Sequence, residues 1–288
     1  MEVFLLKIIS KSIKYINRIE SLYQLYVVIE KITSENEVDF VIKTTSDIQK
    51  AIYRYSSLKE RSEFDRVGIP KLNGIVIMPK NDNLKFTILL DTKLFKDDQI
   101  VHTAMHEFTH LFDYNKYFLD YGNVYIMDKE FKELKYFYEF YHWSEFHSKR
   151  IGTYIYCIYK WHQVHGNKMP KGLYSFKNVD FHTDSIIKEI NILKDCQKLY
   201  SAKINDYFWN FFSELMGYYG RMGVFQEENS DTYPDRNFPK DVIIKNFGID
   251  AIKLYNLMLE MDTYDKAINN LEKLRKFIKP IIEKFNIA

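Results

Sequence analysis

The residues with the most chemical content are His106-Glu107-Phe108-Thr109-His110. On an α-helix, positions four apart lie on one side, about 6 Å from each other along the axis. The imidazoles of His106 and His110 can therefore close on a single ion. Glu107 leaves the helix from the adjoining strip of surface and can reach a water on that ion without itself being a ligand. This is the HExxH spacing. Zinc held by three protein ligands keeps a fourth position for water and lowers the pKa of that water toward ~7. Glu107 would take the proton as the water attacks a carbonyl, then pass it to the leaving amine. The competing structural account is a helix with two solvated or core histidines and a surface Glu.

Such a pair works only on a helix, and the flanking sequence supplies one. Asp97 and Asp98 are N-cap residues for a helix running to about Asn115. Ile100, Val101, Ala104, Met105, Phe108, Leu111 and Phe112 gather in one apolar arc, with His106 and His110 outside it. Upstream, Gly74–Met78 and Leu84–Leu90 are β-prone runs separated by Pro79-Lys80-Asn81-Asp82-Asn83, which predicts a hairpin at the edge of a small antiparallel sheet. Residues 1–65 read mainly as helices, although the apolar runs near 3–9 and 23–29 could be strands. A second long helix is expected over 128–148, continuing to about 165 with a bend or break near Gly152. Residues 166–180 and 227–239 read as loops, and the remainder after 180 as helix. The expected fold is mainly α with a small antiparallel β-sheet (α+β). Its expected segments are a mostly helical 1–70, a metal-binding core over 71–165 and a helical 166–288 that can belong to the same domain.

A third ligand is needed. The sequence after His110 lacks the continuation that would supply a third His two turns on, so a Glu on a second, antiparallel helix is the natural source. The best window is Tyr141–Gly152. Glu145 has His142 one turn before it, Lys149 one turn after and Gly152 two turns after. A small residue at 152 would let two helices approach closely. Glu139 and His142 are the alternatives, and Glu145 could instead be a surface residue paired with Lys149. For the donor that meets a developing oxyanion, Tyr141, His142, Arg150, Tyr154 and Tyr156 are near in sequence, and His142 is the first choice. His102 extends the histidine stripe as a supporting or exposed residue.

The HEFTH motif followed by Glu145 resembles the gluzincin branch of the zincin metallopeptidases. More loosely, it is similar to the ImmA/IrrE-type metallopeptidase-like proteins of bacteria and their mobile elements. The resemblance spans about residues 84–155. It implies a strand–helix–helix core, Zn2+ on His106, His110 and Glu145, Glu107 as catalytic base, and hydrolysis of a protein or peptide substrate. One position departs from the pattern: Lys149 stands where that branch carries an acid orienting a ligand His, which leaves Asp113 as a candidate for that task.

Composition excludes other classes. The 288 residues are 46% hydrophobic and 28% charged, ordinary for a globular chain, and a net charge of +2 without basic runs gives no footprint for nucleic acid. Aromatics reach 17%, with 23 Tyr and 22 Phe, which reads as an aromatic-rich helical core. Cys157 and Cys196 cannot build a disulfide framework. The N-terminus lacks the features of a signal peptide, and no stretch is apolar enough to span a membrane, so the cytoplasm is the expected address. Two rival readings remain. One is a non-catalytic regulatory or binding protein built on the same core. The other is a di-iron carboxylate bundle using Glu107-x-x-His110 and Glu139-x-x-His142.

Overall fold

The β-branched and aromatic run Phe40-Val41-Ile42 suits a strand, and in the computed structural model it opens the three-stranded sheet on which the candidate site helix lies. The structure describes residues 15–32, 38–67, 72–81, 85–126, 136–166, 204–228 and 251–285, with isolated positions within 187–195 and at 245. The chain divides into two compact units.

The first unit takes Met1–Leu134 and Ile151–Pro170. Its described elements are α1 (Tyr15–Ile29), β1 (Phe40–Thr45), α2 (Ile48–Tyr55), α3 (Leu58–Val67), β2 (Gly74–Ile77), β3 (Phe86–Asp91), a short 3-10 turn (Thr92–Lys96) and α4 (Gln99–Tyr121). The last residues of α5 (Phe137–His165) also belong to it. The sheet order is β1-β3-β2. β2 and β3 pair antiparallel with Gly74 opposite Leu90 and Val76 opposite Ile88, as the hairpin reading expects. β1 pairs parallel to β3, from Phe40 opposite Phe86 to Thr45 opposite Asp91. The sheet is therefore mixed, which corrects the all-antiparallel expectation. A parallel neighbour needs a long crossover, and here α2 and α3 lie in the connection. The run at 23–29 is helical, not a strand, while the run at 3–9 lies outside the described residues.

One face of the sheet is sealed by α2: Ile77 and Leu89 form a cluster with Ile48, Ala51 and Ile52, backed by Tyr55, Phe64, Leu72 and Ile75. The other face receives α4, where Phe86 of β3 stacks on Phe118 at 6.0 Å. α1 covers α4 with rings: Tyr23 and Tyr26 pack on Phe108 and Phe112, with centroids 5.3–6.5 Å apart. Part of the aromatic excess is thus spent in the core of this unit.

The second unit takes Lys135–Arg150 and Lys171–Ala288. It holds the first turns of α5 with α6 (Ile204–Glu228), α7 (Ala251–Glu260) and α8 (Tyr264–Phe285). α6 carries Gly217, Gly220 and Gly223 on the face that meets α5 and α7. A Cβ at Gly220 would overlap the Phe146 carbonyl oxygen, so the backbones of α5 and α6 cross in direct contact there. Trp143 locks the same unit by donating its indole N–H to the Met261 carbonyl at 2.6 Å. The second helix begins at Phe137 and runs to His165 without a break at Gly152. The loop readings for 166–180 and 227–239 lie almost wholly outside the described residues. At their margins, Gly166 sits in a turn and α6 continues to Glu228.

Candidate metal centre

α4 is longer than its apolar pattern requires. It ends at Tyr121, where Gly122 adopts φ 88° and returns its N–H to the Phe118 carbonyl at 2.9 Å, a left-sided turn that glycine accepts without strain. Asp98 occupies the N-cap position but makes no side-chain cap. Its carboxylate instead accepts from the Tyr159 hydroxyl at 3.0 Å and pairs with Lys160 at 3.0 Å and Arg18 at 3.4 Å. Asp97 takes over the capping role, accepting from the Gln99 N–H at 3.1 Å. The polar stripe of α4 is not at the surface either: Thr103, His106, Glu107, Thr109, His110 and Asp113 are all buried along with the apolar arc.

In that setting His106 and His110 face each other. Their Nε2 atoms are 3.1 Å apart and their rings nearly perpendicular, at 87°. Two imidazoles bound to one tetrahedral ion at ordinary Zn–N lengths would hold their nitrogens about 3.3 Å apart. The pair is thus already spaced for a shared ion. Glu145 of α5 completes a group in which one ligand atom from each residue lies within 4.8 Å of the others. Among the described residues, this His106–His110–Glu145 set is a group able to hold a metal ion. Two nitrogens and one carboxylate oxygen also suit several divalent metals, so the donors fit a metal without naming it.

The register of α5 beside α4 is set further along the helix. A Cβ on Gly152 would stand 3.0 Å from the His102 carbonyl oxygen, so the absent side chain lets the two backbones touch, as the small residue predicts. Thr153 Oγ1 lies 3.5 Å from His102 Nε2, and Tyr159 and Lys160 hold Asp98 at the start of α4. Glu145 sits two turns before Gly152 on the same unbroken helix. His102 serves this contact, and its ring lies near-parallel to that of His106 with centroids 6.2 Å apart.

The remaining candidates have other places. Glu107 is buried on α4 beside Gly74 of β2, its Oε1 3.0 Å from where a Cβ on Gly74 would be. Glu139 is buried, and both its oxygens accept from Arg275, at 2.7 and 3.0 Å. That bidentate pair commits the carboxylate that competed with Glu145 for the third position. His142 is buried among rings, stacked on Trp209 at 5.1 Å and edge-on to Phe212 at 4.9 Å, with Nδ1 3.3 Å from Ser213 Oγ. Burial pushes its pKa down to about 3, against a smaller upward pull from Glu145, so the imidazole is neutral at physiological pH. Asp113 is buried near Tyr26, whose phenol is raised well above its usual range by burial first, then by Glu30 and Asp113. Tyr156 meets the His102 ring edge-on, and Tyr154 is exposed.

Arg221 of α6 was not visible from sequence. Burial lowers its pKa, while the charges of Glu214 and Glu145 raise it, which places a cation in the electrostatic neighbourhood of Glu145. Only its helical position opposite α5 could have signalled this, and a single sequence does not reveal that pairing. Comparison with protein-family models, with curated proteins and with solved structures finds no match for the chain.

Proposed function

We propose that this chain is a zinc-dependent metallohydrolase, most simply a peptidase acting on a protein or peptide. The observation that carries the reading is the convergence of His106, His110 and Glu145, with Glu107 on the same helix as the two histidines. A zinc ion on these three residues would supply a Lewis acid and a water acidic enough to react near neutral pH. The chain itself supplies the rest. His106 and His110 bind as neutral imidazoles, oriented by the packing of α4. Glu107 accepts the proton released by the attacking water and returns it to the leaving amine. His142, nominated as oxyanion partner, is enclosed by Trp209 and Phe212 with Nδ1 at Ser213 Oγ, an arrangement that does not favour it for that role. The bidentate Glu139–Arg275 pair and the ring-enclosed His142 weigh against the di-iron reading, which needs both as metal ligands.

Two substitutions test the proposal. Glu145→Ala should weaken metal binding by more than about 100-fold, the upper range for losing even a supporting group. Stoichiometric metal at wild-type affinity in this variant, measured by elemental analysis and competition with a chelator, would remove Glu145 from the site. Glu107→Gln should keep the metal and lose about 10²–10⁴-fold in peptide hydrolysis. Full activity in that variant would end the proposed mechanism, and wild-type protein inert toward a broad peptide library would favour a non-catalytic binding role.

A further inference from the structure

Gly74 breaks the pattern of the sheet face on which α4 rests. The β2–β3 register and the alternation of side chains put Gly74, Val76, Phe86, Ile88 and Leu90 on that face. All but one are buried apolar side chains. Position 74 alone offers none, although glycine weakens a strand and a β-branched residue would suit an edge better. The backbone does not demand glycine there, because its φ is not in the left-handed region that residues with side chains avoid. What glycine supplies is space. A Cβ would stand 2.8 Å from Thr103 Cγ2, 3.0 Å from Glu107 Oε1 and 3.1 Å from Glu107 Cγ. Two of its three nearest neighbours belong to the side chain of the proposed base.

We propose that Gly74 is a positioning residue whose missing side chain is the slot that Glu107 occupies between β2 and α4. The packing claim stands on the distances above; its catalytic consequence rests on the reading of Glu107 as base. A general base must stay within hydrogen-bond reach of the proton it takes, and displacement by about 1 Å can cost 10²-fold in rate. A methyl group at position 74 would meet Thr103 Cγ2 at 2.8 Å, where one of the two must shift, and would press the Glu107 side chain aside by a few tenths of an ångström from 3.0 and 3.1 Å.

The packing claim is tested without catalysis, by thermal melting of wild type, Gly74→Ala, Glu107→Ala and the double variant. Gly74→Ala should lower Tm in the wild-type background and do so much less in the Glu107→Ala background, where the new methyl enters vacated volume. A folded double variant beside an unfolded Gly74→Ala protein would be the same result in stronger form. Equal loss in both backgrounds, no loss in either, or relief by Thr103→Ser and not by Glu107→Ala would overturn the proposal.

The kinetic arm uses the metal-loaded protein and a peptide library. Gly74→Ala should lower kcat by ~10–100-fold with KM and metal content unchanged, and Thr103→Ser should not restore the rate. An unchanged kcat would overturn the positioning role. If the wild type cleaves nothing, the peptidase reading fails by itself and the melting cycle still decides the packing claim.

Discussion

Buried carboxylates in this protein have separate physical fates, and those fates sort their roles. Glu139 is neutralised by a bidentate arginine, Glu107 lies in a slot of the sheet, and Glu60 of α3 is met by backbone N–H groups. Glu60 reciprocates a capping box with Ser57, donating its N–H to Ser57 Oγ at 3.1 Å and accepting from the Ser57 N–H at 3.4 Å. Its other oxygen accepts the Met78 N–H at 3.2 Å, just beyond β2. Burial raises its pKa to about 7, against smaller downward pulls from the Met78 and Ser57 N–H groups and Lys80. In the folded protein the carboxyl therefore keeps a proton that the unfolded chain gives up near pH 4.5. Folding stability from this group is full below pH 4.5 and falls as the pH rises toward 7, by at most about 3 kcal/mol. Glu60→Gln keeps an acceptor for Met78 and should flatten that decline in urea unfolding measured from pH 4.5 to 7.5. The same slope in both proteins would assign it to other groups. The His106–His110 pair on α4 was legible in the sequence because its members are four residues apart. The Glu139–Arg275 pair was not, because its members are 136 apart in the chain and meet only through packing of α5 and α8.

At the scale of elements, local signals carried α4 and the β2–β3 hairpin, since capping residues, turn formers and apolar periodicity are all short-range. The parallel strand β1 escaped because its pairing is made across a long crossover, and a six-residue run beside helical segments has no local mark of its partner. The burial of the polar side of α4 escaped for a related reason: periodicity finds the apolar arc but cannot tell that other elements cover the opposite side. Gly152 is the exception, a tertiary contact foreseen from one small residue. Gly152→Ala should force α5 away from the His102 carbonyl, at a cost of about 1–3 kcal/mol for an overpacked contact. Because Glu145 rides on the same helix, metal affinity should fall with stability. A variant that melts lower yet binds metal with wild-type affinity would show that this crossing does not set the position of Glu145.

For the molecule as a whole, a metal bound only by the folded chain must add to its stability. At a free metal concentration of about 1,000 times Kd the gain is roughly 4 kcal/mol, or on the order of 10 °C in Tm. Chelation should therefore lower the melting temperature of wild type by that order and leave Glu145→Ala nearly unchanged. Equal response in the two proteins would mean that the stabilising ion sits elsewhere. Among the described residues no helix is long and apolar enough to cross a membrane.

The placement of the indoles gives such measurements a built-in reporter. The three tryptophans are Trp143, Trp161 and Trp209, and none lies on the sheet or on α4. Trp143 and Trp209 belong to the second unit, whereas the first unit has only Trp161 near the end of α5. Trp209 stacks on His142, a ring that remains uncharged down to about pH 3 and so does not become a cationic quencher across the working range. Emission excited at the red edge therefore follows α5 and α6, while tyrosine absorbance follows both units, with 12 of the 23 tyrosines in the first and 11 in the second. Two wavelengths on one unlabelled sample can show whether the two units lose their structure together or one after the other.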